Sequence, residues 1–222
     1  MGRAASLCNW LQVSGLALIA AAVVSISGAA QGASPQGAGQ PAQGQQQDSS
    51  ANMAPARLAA PEPTMKVTSS AFAGNAAIPE KHSGYSNGPS PQLSWSGAPP
   101  STKTFAIIME DPDAKAVSPQ PFVHWIAFNI PATTMTLPEG VAPAMPNING
   151  GGIQGVNGTK ASGYFGPRPP AGDPDHHYHF EVFALSTELS LKAGASKADL
   201  LAAMQGYVLA WGELVGTYKR AK

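Results

Sequence analysis

From Tyr178 to Ser186 the chain reads Tyr-His-Phe-Glu-Val-Phe-Ala-Leu-Ser, apolar at both parities. A strand of that kind must be covered on both faces, so the segment demands a central strand with packing material above and below it. A helical bundle cannot supply that setting, and 24 glycines and 21 prolines in 222 residues are too many for one. They suit a β fold rich in turns. Further strands are readable. Met65 to Ser69 alternates, Leu93 and Trp95 share one side of a short strand after the turn at Asn87–Pro91, and Thr104–Met109 and Phe122–Ile130 are apolar runs. Residues 131–175, with repeated Gly and Pro, read as long surface loops. One stretch is helical: Ser196 caps, Asp199 stands at the third position, and Leu200, Leu201, Met204 and Tyr207 or Val208 form a stripe. Strand spacing returns over Glu213–Tyr218. The expectation is a mostly β (α+β) domain with one late helix.

That domain begins at Met65. Residues 31–64 are Gln, Gly, Ala, Pro and Ser with almost nothing to bury, and they are expected to be a disordered tether. Residues 1–30 read as a signal peptide: Arg3, an apolar core from Leu16 to Ile26, then small residues that fit cleavage after Ala29 or Ala30. The alternative is an uncleaved membrane anchor from Trp10 to Ala30. A cleaved signal would place the domain in the periplasm or outside the cell; an uncleaved one would anchor it to the membrane. The single cysteine, Cys8, permits no disulfide framework and no Cys-based metal site. Zero formal net charge with 12% charged residues offers no electrostatic case for nucleic acid or for an anionic membrane surface.

Four segments carry polar chemistry. Asp111-Pro112-Asp113 closes a strand, because Pro112 has no N–H to donate; alone it reads as a turn. His124-Trp125 enters the next strand. His176-His177-Tyr178-His179 heads the buried one, and period-two geometry puts His176, Tyr178 and Phe180 on one face and His177 and His179 on the other. The second pair invites a metal reading with Zn or Cu, but no further ligand is evident for that face. Gly163-Tyr164-Phe165-Gly166-Pro167-Arg168-Pro169-Pro170 is a stiff, extended wall, set before any ligand arrives.

In that order, with Asn-Ile-Pro after His-Trp, these motifs resemble the phosphatidylethanolamine-binding protein family, most closely its bacterial Raf-kinase-inhibitor-like branch. Asn87-Gly88-x-Ser90-Pro91-x-Leu93-x-Trp95 and Glu213–Tyr218 fit as well, so the resemblance spans residues 65–222. It implies two packed antiparallel sheets with a few peripheral helices and a small anion pocket at one end. By the same resemblance the pocket residues are Asp111, Asp113, His124, Gly166, Pro167, His176 and Tyr178. The implied role is non-catalytic, without cofactor: binding of a small anionic or phosphorylated ligand, a phospholipid head group included, and modulation of a protein partner by enzyme inhibition. His176, His124 and the Tyr178 hydroxyl would donate to the anion, and the carboxylates would orient a histidine or take an ammonium. A hydrolase using Asp111, His124 and His176, and a metal-binding envelope protein using His177 and His179, are the alternatives. Three departures from the family pattern stand out: Lys115 where Pro is common, a loop carrying Val117, Pro119 and Pro121, and Tyr207 where the bacterial branch tends to place His.

Overall fold

In the computed structural model the described residues are 63–141 and 147–220. The expected signal peptide and nearly all of the expected tether lie outside them. Eight strands follow in order: β1 (Lys66–Thr68), β2 (Leu93–Ser96), β3 (Thr104–Asp111), β4 (Phe122–Pro131), β5 (Thr136–Leu137), β6 (Ile153–Gln154), β7 (His176–Leu185) and β8 (Val208–Tyr218), with helix α1 (Lys197–Met204) before the last. They form a three-stranded sheet ordered β1-β2-β5 and a five-stranded sheet ordered β6-β4-β3-β7-β8, with every strand pair antiparallel. A single 3₁₀ turn, Glu80–His82, joins α1 as the only other helical element among the described residues. The mostly β, two-sheet expectation holds.

Strand β7 lies between β3 and β8, and both its faces are covered, as its sequence requires. Tyr178, Phe180, Val182 and Ala184 face the small sheet, where Val67, Leu93, Trp95 and Leu137 complete one core. Trp95 meets Phe105 edge-on at 5.3 Å across the two sheets. Phe183 and Leu185 face the other way, into a second core closed by Leu200 and Met204 of α1. Each fully buried side chain of this size contributes roughly 1.5–3 kcal/mol.

Helix α1 starts where its cap signal says. The Ser196 hydroxyl accepts from the Asp199 N–H, and the Asp199 carboxylate accepts in return from the Ser196 N–H. It ends sooner than the apolar stripe implied. Gly206 takes φ +80°, a left-handed turn that stops the helix, so Tyr207 lies in the turn and Val208 opens β8. The Asn129 of Asn-Ile-Pro also has positive φ, and its side chain brackets Leu189, donating to the carbonyl and accepting from the N–H at 2.8 Å each. The folded region starts by Thr64, whose N–H, like that of Met65, donates to the Trp211 carbonyl.

Candidate functional site

At the end of the large sheet where β3 finishes and β7 begins, a cavity of about 240 Å³ opens. β3 runs two residues past Met109 and stops at Asp111, before Pro112. The Asp111 carboxylate then works in two directions. Oδ1 accepts from the Asp113 N–H at 2.8 Å, closing the turn, and Oδ2 lies 2.8 Å from His176 Nδ1. Both side chains of that pair are at most 4% exposed. The other ring nitrogen of His176, Nε2, is 3.4 Å from the Asp173 carboxylate.

Asp113 serves a different histidine. Its carboxylate accepts from the His177 backbone N–H at 2.9 Å and pairs with His177 Nδ1 at 2.8 Å. Burial opposes its ionisation, but the His177 hydrogen bonds outweigh burial and hold Asp113 below the usual carboxylate range. His179 pairs with Glu213 at 2.8 Å. The two histidines that invited a metal reading are therefore each turned to a separate carboxylate. Among the described residues no group of three or more His, Cys, Asp or Glu is arranged to hold a metal ion.

His124 stands across the cavity from His176. Its Nδ1 lies 2.7 Å from the Phe165 carbonyl, which can only accept, so Nδ1 carries the hydrogen. Complete burial, only partly offset by that hydrogen bond, pushes the His124 pKa down to about 4. The ring is thus neutral near pH 7 and its Nε2 is an acceptor. In that state His124 would accept a hydrogen bond from a ligand through Nε2. Tyr178 packs between the two histidines, 5.1 Å from His124 edge-on and 6.5 Å from His176. It lies under the cavity and does not line it. Its hydroxyl has no well-formed hydrogen bond among the described residues; burial and then the Asp111 charge push its pKa far up, so it stays protonated.

The proline wall divides into a front and a back. Phe165, Arg168, Pro169 and Pro170 line the cavity; Gly166 and Pro167 do not. Gly166 is pressed on the backbone of the 82–84 segment, where a Cβ would come within 2.3 Å of the His82 carbonyl. The Pro167 carbonyl accepts from the Gly84 N–H at 2.9 Å. These two residues fix the wall in place. Phe165 is tied to β4 by its N–H to the His124 carbonyl, and its ring stacks on the His124 ring at 5.6 Å.

Sequence reasoning left out Asp173, Arg168, Phe122 and Phe165 as lining residues. Arg168 and Phe165 were present in the quoted motif. Asp173 had a weaker signal, a carboxylate between Gly172 and Pro174 three residues before His176. Ala114, Ala116 and Val117 of the divergent loop also line the cavity, whereas Lys115 does not. Tyr207 is no part of it. It sits beside the Leu185–Val208 pair, at the far end of β7, about 30 Å of strand away from His176. That departure from the family pattern therefore lies outside the cavity.

Comparison with known proteins agrees with this architecture. The sequence profile of the family described as phosphatidylethanolamine-binding protein matches residues 68–219. A UPF0098 protein of Methanothermobacter thermautotrophicus is 40% identical over 156 residues, which cover 70% of this chain and 99% of that protein. One from Pyrococcus horikoshii is 44% identical over 154 residues, 68% of this chain and 75% of its own. Among solved structures, a phosphatidylethanolamine-binding protein homologue from Chlamydia trachomatis superimposes with a TM-score of 0.64 at 37% identity, covering 72% of this chain and 99% of that one. E. coli YbcL, described as a new member of the mammalian family, gives 0.63 at 32%, covering 71% and 99%. Motif order, sheet arrangement and these matches lead to one conclusion: this chain belongs to the phosphatidylethanolamine-binding protein family.

Proposed function

We propose that the chain is an exported, non-catalytic binding protein whose cavity takes the anionic end of a small phosphorylated ligand, a phospholipid head group included, and that the loaded protein modulates a protein partner. The observation that carries the reading is His176. It is buried, anchored through Nδ1 by Asp111, and faces the cavity with Nε2. Only the half-exposed Asp173 stands opposite that nitrogen, at 3.4 Å, and a small anion can take its place. Around this polar point Val117, Phe122, Phe165, Pro169 and Pro170 give an apolar wall, the usual setting for a few convergent polar groups. A neutral His124 suits a ligand that also offers a donor, such as an ammonium or a hydroxyl.

The non-catalytic reading has its own support. The Asp111–His176 pair resembles an oriented general base, but His176 Nε2 faces a carboxylate and not a nucleophile. The hydroxyl among the lining side chains, Thr159, donates to Asn157 at 2.6 Å. Calorimetric titration with phosphate and phosphoethanolamine tests the site. His176→Ala should cost about 1.5–3 kcal/mol of binding, the scale of a hydrogen bond to a charged group. His179→Ala, on the opposite face of β7, should cost little. Loss of binding in the second variant with the first unaffected would end the reading. N-terminal sequencing of the protein recovered from its host tests export; a start near Gln31 is expected.

A further inference from the structure

Two arginines stand among the described residues, and both lie against one tyrosine. The guanidinium carbon of Arg168 is 5.5 Å from the centre of the Tyr85 ring, and that of Arg220 is 4.3 Å from it. The two positive charges are therefore within about 10 Å of each other, close enough to repel. Neither is in an ion pair among the described residues, although Lys81, Lys197 and Lys219 each have a carboxylate partner. A guanidinium that contacts a ring through its face keeps its in-plane N–H groups, the edges that bind phosphate oxygens in bidentate fashion.

Tyr85 does not line the cavity but is tied to its wall, and is not a loose surface ring. Its hydroxyl donates to the carbonyl of Pro169, which lines the cavity, and the neighbouring Gly84 N–H donates to Pro167. Arg168 lines the cavity and also stands at the ring, so it joins the two places. Among the described residues it is the only lysine or arginine of the lining, which also carries the carboxylates of Asp111, Asp113 and Asp173.

We propose that Tyr85, Arg168 and Arg220 form a second anion subsite on the shoulder of the cavity, which takes the phosphate of a phosphomonoester or phosphodiester. An anion between the guanidiniums relieves their repulsion and lets both forks donate. The subsite rests on the proposed binding role only for where the rest of the ligand goes; the two arginines stand without it.

The test uses the whole chain at low ionic strength, where exposed charges are least screened. Glycerol 3-phosphate is titrated calorimetrically, and in a second arm the protein is sedimented with phosphatidylcholine vesicles with and without phosphatidylglycerol. Arg168→Gln and Arg220→Gln should each weaken binding by about tenfold in at least one arm, as expected for loss of a charge-assisted fork. Arg168→Lys should fail to restore it, because an ammonium keeps the charge but not the fork. A loss confined to the first arm identifies a soluble phosphate ester, and one confined to vesicles identifies a lipid head group. Both arginine variants binding like the parent in both arms would overturn the subsite. His176→Ala, run alongside, separates the two proposals. If it alone loses binding, the cavity reading stands and the subsite falls; if Arg220→Gln alone loses binding, the reverse holds. Arg220 is exposed beyond the end of β8, so its variant also escapes the objection that the fold has failed.

Discussion

Strand β7 carries the same histidine–carboxylate pair twice, once on each face. His176 Nδ1 meets Asp111 and the adjacent His177 Nδ1 meets Asp113, both at 2.8 Å. The first pair is 4% and 3% exposed, the second 51% and 36%. Identical distances therefore describe two different interactions. In the buried pair water cannot stand in for a lost partner, so removing one leaves a buried polar atom without its hydrogen bond. In the exposed pair water replaces whichever partner is lost. The face toward the small sheet has the cavity for the same reason: only there are a histidine and its carboxylate kept from solvent and still turned to an opening.

The largest break in this symmetry should come from Asp111→Ala. Loss of about 3–5 kcal/mol in urea unfolding at pH 7 is expected, the scale for orphaning one member of a buried pair. A loss below about 1 kcal/mol would show that water reaches His176 and that the two faces are alike.

His124, on the same buried face, sharpens the comparison through pH. Its pKa is held at about 4 in the folded chain, below the ordinary histidine value of 6.5, so the unfolded chain takes up the proton first. Stability should be full above about pH 6.5 and fall by on the order of 3 kcal/mol as pH drops toward 4. His124→Gln, which cannot titrate, should flatten that part of the thermal midpoint–pH curve. An unchanged slope would assign the acid sensitivity elsewhere.

The smallest effect belongs to the exposed pair. Asp113→Ala should lower stability at pH 7 by less than about 1 kcal/mol, and by less again in molar salt. Because the Asp113 pKa is held below its ordinary value, the contribution is present above the usual carboxylate range and is lost as pH falls through the lower folded value. A salt-independent loss of several kcal/mol would erase the distinction between the faces.

Much of the fold was legible because its signals are local. Pro112 ends β3, Ser196 and Asp199 cap α1, and the alternation along residues 176–185 sorts the two faces of β7. The site was legible in part. The motifs named the right neighbourhood, but Gly166 and Pro167 brace the wall from behind, while Arg168 and Asp173 face inward. Nothing in a Gly-Pro-Arg-Pro-Pro run says which side of an extended segment meets the cavity, because no hydrophobic period marks its faces.

By itself, the sequence determined which residues share a face, since side-chain direction along a strand follows from backbone geometry two residues at a time. It also determined that β7 must be central, because no other place hides both its faces. Tertiary structure alone decided which carboxylate serves which histidine. Asp111 and His176 are 65 positions apart, and they meet because β3 and β7 align Glu110 with His179 and Met109 with Phe180. That register is fixed by two cores packed against opposite sides of the sheet; a slip of one residue would turn every side chain of β7 to the wrong face. The same alignment sent Tyr207 to the far end of the sheet, away from the cavity, an outcome that depends on packing between segments distant in sequence.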